Sequence, residues 1–151
     1  MTRYMLDTNM VSHFIREHPA VVRRVLAVPM AVVCISSITE GELLFGLARR
    51  PEAKRLPMAV REFLRRVDVL PWDSDVAERY GAARAALERQ GKTLGPLDLL
   101  IASHSLHAGA VLVTNDRAFA QVDELRGCEF FSSAPRWAQP DGWRPPAPND
   151  A

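Results

Sequence analysis

The sequence begins with Arg3-Tyr4-Met5-Leu6-Asp7-Thr8-Asn9, a short apolar run that leads directly into an acid, a hydroxyl and an amide. We predict a strand that ends at Leu6 and leaves Asp7 at its carboxyl end. A similar stretch lies far downstream, where Ala110-Val111-Leu112-Val113 is followed by Thr114-Asn115-Asp116. In open α/β sheets, ligands bind at the carboxyl ends of the strands. The two stretches therefore predict two carboxylates directed at one place.

Apolar strand-like runs alternate with segments of helical periodicity along the rest of the chain. The apolar runs predict further strands at 30–35, 68–70 and 128–131. The periodic segments predict helices at 10–16, 20–27, between 36 and 51, at 52–67, between 73 and 91, at 95–107 and at 117–121. This alternation is typical of an α/β domain in which helices cover both faces of a parallel sheet. We expect one such domain over residues 1–133 and an irregular, proline-rich tail at 134–151.

The net charge of +1 on 151 residues argues neither for nor against a nucleic-acid partner, but the charge is unevenly distributed. Residues 49–66 carry seven Lys or Arg and only two Glu. This basic segment could follow an RNA backbone, although a solvated helix face is the interpretation that we favour.

Cys34 and Cys128 lie in strand-like runs, which predicts reduced core residues and neither a disulfide nor a cysteine metal site. Because the first predicted strand begins within a few residues of the start, we expect no cleaved signal peptide. No apolar run approaches the roughly 20 residues that span a bilayer. We therefore expect a cytoplasmic protein that makes no membrane contact.

Further acids lie in apolar helices that should pack on the sheet. Asp98 belongs to Gly95-Pro96-Leu97-Asp98-Leu99-Leu100-Ile101-Ala102, where burying a carboxylate costs several kcal/mol unless a partner compensates its charge. The helix N-terminus contributes only about 0.3–1 kcal/mol. Another acid lies in the helix after residue 36, where helical periodicity does not choose between Glu40 and Glu42.

Each acid alone has an ordinary explanation, because Asp7 and Asp116 could cap the helices that follow them and Asp98 stands in a first helical turn. Four carboxylates in one pocket repel one another, and hard divalent cations with oxygen ligands are the usual remedy. The set therefore predicts a Mg²⁺ or Mn²⁺ site. Neighbouring polar side chains would orient the carboxylates, namely Thr8, Asn9, Thr114 and Asn115.

The motifs together resemble PIN-domain ribonucleases, and among them the VapC-type toxins of bacterial toxin–antitoxin pairs. The resemblance rests on Leu6-Asp7-Thr8-Asn9, on Glu42-Leu43-Leu44-Phe45-Gly46, on residues 95–102 and on Leu112-Val113-Thr114-Asn115-Asp116. It runs from about residue 3 to residue 131. The chain departs from the pattern in two respects. Leu97 stands where relatives often have a polar residue, and the proline-rich tail after Ser133 lies outside the usual family length.

The resemblance implies a Rossmann-like sheet of about five strands in the order 3-2-1-4-5 and Mg²⁺-dependent hydrolysis of RNA, with Mn²⁺ as a possible substitute. Its catalytic and metal-binding acids fall on Asp7, Glu42, Asp98 and Asp116, so the resemblance selects Glu42 over Glu40. It also implies an RNA substrate such as tRNA or another structured RNA, a cognate antitoxin and a homodimer. DNA would be contacted only indirectly, through the antitoxin.

Other functions are compatible with the same sequence. A PIN-superfamily nuclease that acts on other RNA or on DNA is the closest alternative, and an interaction module without activity is another. A phosphoacceptor signalling domain is disfavoured because it needs paired early acids and a late lysine, whereas no lysine follows Lys92.

The remaining polar and aromatic candidates have ordinary interpretations. His104 and His107 could form a ligand pair, but nothing in the sequence completes a zinc set. We interpret His13 as structural. Trp137 and Trp143 are expected to pack the tail against the domain.

Overall fold

The protein is described here by a computed structural model, in which the described residues are 2–125 and the backbone of 129–130. Its strands are β1 (Tyr4–Leu6), β2 (Val33–Ser36), β3 (Asp68–Leu70), β4 (Val111–Thr114) and β5 (Glu129–Phe130). Its helices are α1 (Thr8–Ile15), α2 (Pro19–Leu26), α3 (Ser37–Ala48), α4 (Arg55–Arg66), α5 (Ser74–Arg89) and α6 (Pro96–Ala108). Single 3-10 helical turns cover Met30–Val32 and Arg117–Gln121. Within the described residues, no helix has the length and apolar character needed to cross a membrane.

The five strands form one parallel sheet in the order β3-β2-β1-β4-β5, as predicted. The chain builds one half of the sheet outward from β1 and then returns to build the other half from β4. Such a reversal leaves a crevice at the carboxyl ends of the two central strands. The register pairs Leu6 with Val113, so the polar residues that follow β1 and β4 emerge side by side.

Successive strand residues point to opposite faces of the sheet, and each face has its own apolar core. Leu6, Val33 and Val113 pack with α1, α2 and α4 on one face. Met5, Cys34 and Leu112 pack with α5 and α6 on the other. Burial on both faces explains why these strands read as continuous apolar runs rather than as alternating ones.

Two elements begin three residues later than the sequence predicts, whereas the other boundaries differ by less. The predicted strand at 30–35 opens with a 3-10 turn, and only Val33–Ser36 pairs, because Tyr4 on β1 lies opposite Val33. Helix α4 begins at Arg55 rather than at residue 52. A start at 52 would place Pro57 in the second turn, where proline breaks a backbone hydrogen bond, whereas the observed start keeps Pro57 in the first turn.

Other local predictions are confirmed. Gly109 ends α6 in the left-handed conformation, at φ 64°, which glycine adopts without strain. Cys34 is fully buried in the core. Cys128, the 134–151 tail, Trp137 and Trp143 lie outside the described residues.

Candidate functional site

Asp7 occupies the carboxyl end of β1 and is almost fully buried, with 3% of its surface exposed. One carboxylate oxygen, Oδ1, caps α1 by accepting the backbone N–H of Met10 at 2.8 Å. The other, Oδ2, accepts the hydroxyl of Thr114 on β4. The backbone N–H of Asp7 donates to the carbonyl of Val113 at 3.1 Å. Asp7 is thus the N-cap of α1.

Thr114 joins the two strand ends. While its hydroxyl donates to Asp7, the same oxygen accepts the backbone N–H of Asp116 at 3.0 Å. Asp116 in turn accepts the N–H of Ala118 at 2.9 Å and so caps the 3-10 turn that follows. The capping explanation for Asp7 and Asp116 is therefore correct, and it leaves Asp7 and Asp116 tied together through one buried hydroxyl.

Asp98 lies in the first turn of α6, which Gly95 and Pro96 open. The carboxylate is only partly buried, although Leu99 beside it belongs to the core. Desolvation raises the pKa of Asp98, and the charges of Asp116 and Glu42 raise it further. Asp98 is thus less buried than expected from the apolar helix around it, although desolvation is still the largest cause of its raised pKa.

Glu42 and Glu40 are both partly buried on α3, but their electrostatic environments differ. The charge of Glu42 acts on Asp98, whereas Glu40 is not among the groups that shift the pKa of Asp98 or Asp7. Glu42 also lines a cavity that reaches Thr8 at the start of α1. Of the two candidates that the helical periodicity left open, Glu42 is therefore the one that faces the other acids.

Burial raises the pKa of Asp7 to about 6, and the charges of Asp98 and Asp116 contribute in the same direction. The hydrogen bonds from Thr114 and Met10 oppose this rise without cancelling it. None of the ion pairs within the described residues includes Asp7, Glu42, Asp98 or Asp116. The cluster thus holds uncompensated negative charge on oxygen ligands, which suits a hard divalent cation.

The four side chains that were predicted to orient the carboxylates lie in different surroundings. Thr114 contacts a carboxylate, while the hydroxyl of Thr8 donates to that of Thr39 on α3 at 3.3 Å. The Asn115 amide lies 3.4 Å from the ring of His13, and Asn9 is exposed. Thr8 therefore links the end of β1 to the helix that carries Glu42, and does so without touching an acid.

The structure contains a second group of possible metal ligands that the sequence analysis did not identify. Asp73, Asp75 and His107 each offer a ligand atom within 4.8 Å of the others, and all three side chains are exposed. Within the described residues no other trio, the four predicted acids included, is that close. His107 lies about 13 Å along α6 from Asp98, so the two groups are separate. The spacing of the predicted acids is compatible with Mg²⁺, which retains several waters and is bound directly by only one or two carboxylates.

His104 and His107, which the sequence analysis disfavoured as a ligand pair, lie in different environments. His104 is buried, and its Nδ1 lies 2.7 Å from the hydroxyl of Ser36, which caps α3. His107, in contrast, belongs to the exposed group at the end of α6. His104 therefore fixes the start of the helix that carries Glu42.

The chain matches one family model, and the proteins to which it is similar agree with that match. The family model described as "PIN domain" matches residues 4–125. The chain is 39% identical over 127 residues to the tRNA(fMet)-specific endonuclease VapC of Shigella flexneri, covering 83% of this chain and 96% of that protein. It is 35% identical over 127 residues, with the same coverage, to the ribonuclease VapC2 of Haemophilus influenzae.

Solved structures show the same fold. A DNA-bound VapBC complex from Salmonella typhimurium matches with a TM-score of 0.76 and 35% identity, over 86% of this chain and 97% of that one. The VapBC2 complex of Rickettsia felis, bound to a promoter DNA fragment, matches with a TM-score of 0.75 and 31% identity, over 82% and 96%.

Proposed function

Because the chain belongs to the VapC family of PIN-domain proteins, we propose that it is a metal-dependent endoribonuclease and the toxin of a toxin–antitoxin pair. One structural observation supports the proposal in addition to the resemblance. The buried carboxylate of Asp7, at the reversal point of the sheet, has a pKa of about 6 and is acted on by the charges of Asp98 and Asp116, while Glu42 acts on Asp98. None of the ion pairs within the described residues includes any of these four acids.

PIN-domain nucleases depend on divalent metal ions, and we propose Mg²⁺ for this protein, with Mn²⁺ as a substitute. Asp7, Glu42, Asp98 and Asp116 would hold the ion directly or through water. A divalent cation there would stabilise the negative charge that develops on a phosphodiester under attack. The exposed group of Asp73, Asp75 and His107 is not our choice, because exposed acids are solvated and need no cation to be tolerated.

The role that we propose for each acid follows from how deeply its side chain is buried. Asp7 is held by Thr114 and Met10, so it would provide a fixed ligand. Asp98 and Glu42 are partly exposed, so either carboxylate could accept a proton from the attacking water. We expect hydrolysis to leave a 5′-phosphate and a 3′-hydroxyl.

The relatives suggest the substrate and the partners. Two of them, from Shigella flexneri and Salmonella typhimurium, are named tRNA(fMet)-specific endonucleases, so tRNA is the first substrate to test. Several solved relatives are complexes with an antitoxin, and two of these carry DNA. We therefore propose a homodimeric toxin that a cognate antitoxin inhibits, that meets DNA only through that antitoxin, and that cuts RNA in the cytoplasm.

Cleavage of tRNA and of single-stranded DNA by the purified full-length protein, with Mg²⁺ or with EDTA, tests this proposal. We expect tRNA to be cut only with the metal, and Asp98→Asn and Asp116→Asn each to lower the rate at least about 100-fold. Asp75→Asn is the matched control, because it removes an acid from the exposed group and should leave the rate unchanged. Undiminished cutting by both site variants, or cutting of DNA alone, would overturn the assignment.

A further inference from the structure

An exposed aromatic side chain lies close to the acid cluster. Phe45 is 57% exposed and stands one helical turn beyond Glu42 on α3. The guanidinium of Arg49 lies over the Phe45 ring, 5.0 Å from its centroid. The backbone N–H of Arg49 also donates to the carbonyl of Phe45 at 3.1 Å, which fixes the two residues relative to each other. We call Phe45 and Arg49 the stacking pair.

Arg49 of the stacking pair lines a cavity of about 160 Å³ that one of the acids, Glu42, also lines. Glu42 and Thr8 line this cavity together with Arg16, which follows α1, and Arg49, which follows α3. Gly46 contributes open space, since a Cβ there would meet nothing within 4 Å. A ligand that enters this cavity therefore meets a carboxylate of the site and two arginines together.

Two cations that form no ion pair in the described part of the chain line this cavity, and more follow along the chain. Within the described residues, neither Arg16 nor Arg49 forms an ion pair, and the same holds for the exposed Arg50, Lys54 and Arg55 that follow. The far end of the basic segment differs, because Arg65 and Arg66 are paired with Glu62. The charge available to a polyanion is therefore concentrated at the end that adjoins the acid cluster.

We propose that the stacking pair binds an unpaired nucleobase of the RNA next to the bond that is cut, with Arg16 contacting a neighbouring phosphate. The proposal rests on the proposed function and specifies its substrate as a single-stranded segment. Bases stack on exposed aromatic rings irrespective of their sequence, and an arginine beside the ring strengthens the contact. In a duplex, every base is already stacked within the helix, so it could not reach Phe45.

A second copy of this chain is the other candidate to cover the exposed Leu44 and Phe45. A twofold contact brings each patch against itself. It would therefore set Arg49 and the neighbouring cations of one copy against those of the other, and such like-charge contacts are unfavourable. RNA is favoured because it brings both aromatic bases and negative charge to the same surface.

The test uses a single-stranded RNA that contains 2-aminopurine, whose fluorescence is quenched on stacking, titrated with the full-length protein in EDTA. We expect Phe45→Ala to abolish the quenching and weaken binding about tenfold, and Phe45→Trp to restore both. With Mg²⁺, Phe45→Ala should raise KM much more than it lowers kcat. Met58→Ala is the control, because Met58 is 74% exposed on α4, a different helix from the one that carries Phe45.

Duplex RNA of the same sequence should neither quench nor be cut. If Phe45→Ala leaves both the quenching and the KM unchanged, the proposed role of the stacking pair is wrong, even though the wild type still cuts RNA. The proposed role would also be wrong if Phe45→Ala became monomeric in light scattering and bound RNA normally, since Phe45 would then contact a second copy. If Phe45 governs quenching while the wild type cuts no RNA, the stacking pair stands and the proposed function fails.

Discussion

The hydroxyl of Thr114 donates to the carboxylate of Asp7 from the neighbouring strand, across the point where the sheet changes direction. The same oxygen receives the N–H of Asp116, so one buried side chain sets the spacing of two acids. Thr114 is completely buried, which keeps water from competing for either bond. We therefore regard Thr114 as a positioning residue for the proposed metal site.

Replacement of this hydroxyl should impair the site without unfolding the domain. We expect Thr114→Val to lower RNA cleavage about 10- to 100-fold, because the carboxylate loses the bond that orients it. This bond also lowers the pKa of Asp7, so the acid limb of the pH–rate profile should shift to higher pH. Thr114→Ser should restore both rate and profile. A Thr114→Val enzyme with normal cleavage and an unshifted profile would contradict this role.

Asp7 should destabilise the metal-free protein at neutral pH. Its folded-state pKa of about 6 lies above the reference value of 3.8, so the folded state binds the proton more tightly. The free energy of unfolding must then fall as the pH rises from about 4 to about 6. At pH 7, Asp7→Asn should be more stable than the wild type by up to about 3 kcal/mol, since asparagine still caps α1. At pH 3.5 this difference should nearly vanish.

Urea denaturation at both pH values, in EDTA, measures this difference. Asp75→Asn serves as the control, because Asp75 is exposed and should show no comparable change. An Asp7→Asn protein that is less stable than the wild type at pH 7 would show that the buried charge is compensated after all.

Binding of a divalent ion should reverse this destabilisation. Millimolar Mg²⁺ should raise the melting temperature of the wild type at pH 7, because the ion binds the folded state and not the unfolded chain. The increase should be lost in Asp7→Asn and Asp98→Asn and retained in Asp75→Asn. An equal increase in all four proteins would place the ion elsewhere, and the exposed group at the end of α6 would be tested next with His107→Ala.

His104 should make the fold sensitive to mild acid. Burial lowers its pKa below the ordinary value of 6.5, the charge of His107 lowers it further, and Asp73 opposes this weakly. As the pH falls through 6.5, the unfolded chain takes up the proton first, so the free energy of unfolding decreases. His104→Gln should cost about 1–3 kcal/mol at pH 7.5 through the lost contact with Ser36, and less at pH 5.

Denaturation of both proteins at the two pH values checks this expectation, with the partly exposed His13→Gln as the control. A His104→Gln penalty of the same size at both pH values would mean that the ring is not held neutral.

The sequence predicted most of the secondary structure because the signals are local. An apolar run that stops at Leu6, the pair Gly95-Pro96 before α6 and Gly109 after it each act within a few residues. The error at the start of α4 was avoidable on the same grounds, since the position of Pro57 already limits where that helix begins. The choice of Glu42 over Glu40 came from family resemblance, because both lie on the same helix with similar neighbours.

Contacts between distant segments could not be predicted, because they depend on strand register and on how helices cross the sheet. Of the four residues expected to orient the acids, only Thr114 contacts one, since the pairing of β1 with β4 brings this residue beside Asp7. The approach of Asp73 to His107 and the cavity between Glu42 and Arg16 arise in the same way. The sequence by itself determined which acids end the strands and begin the helices. Only the tertiary structure decided which of their charges interact, because electrostatic repulsion depends on distance in space and on burial.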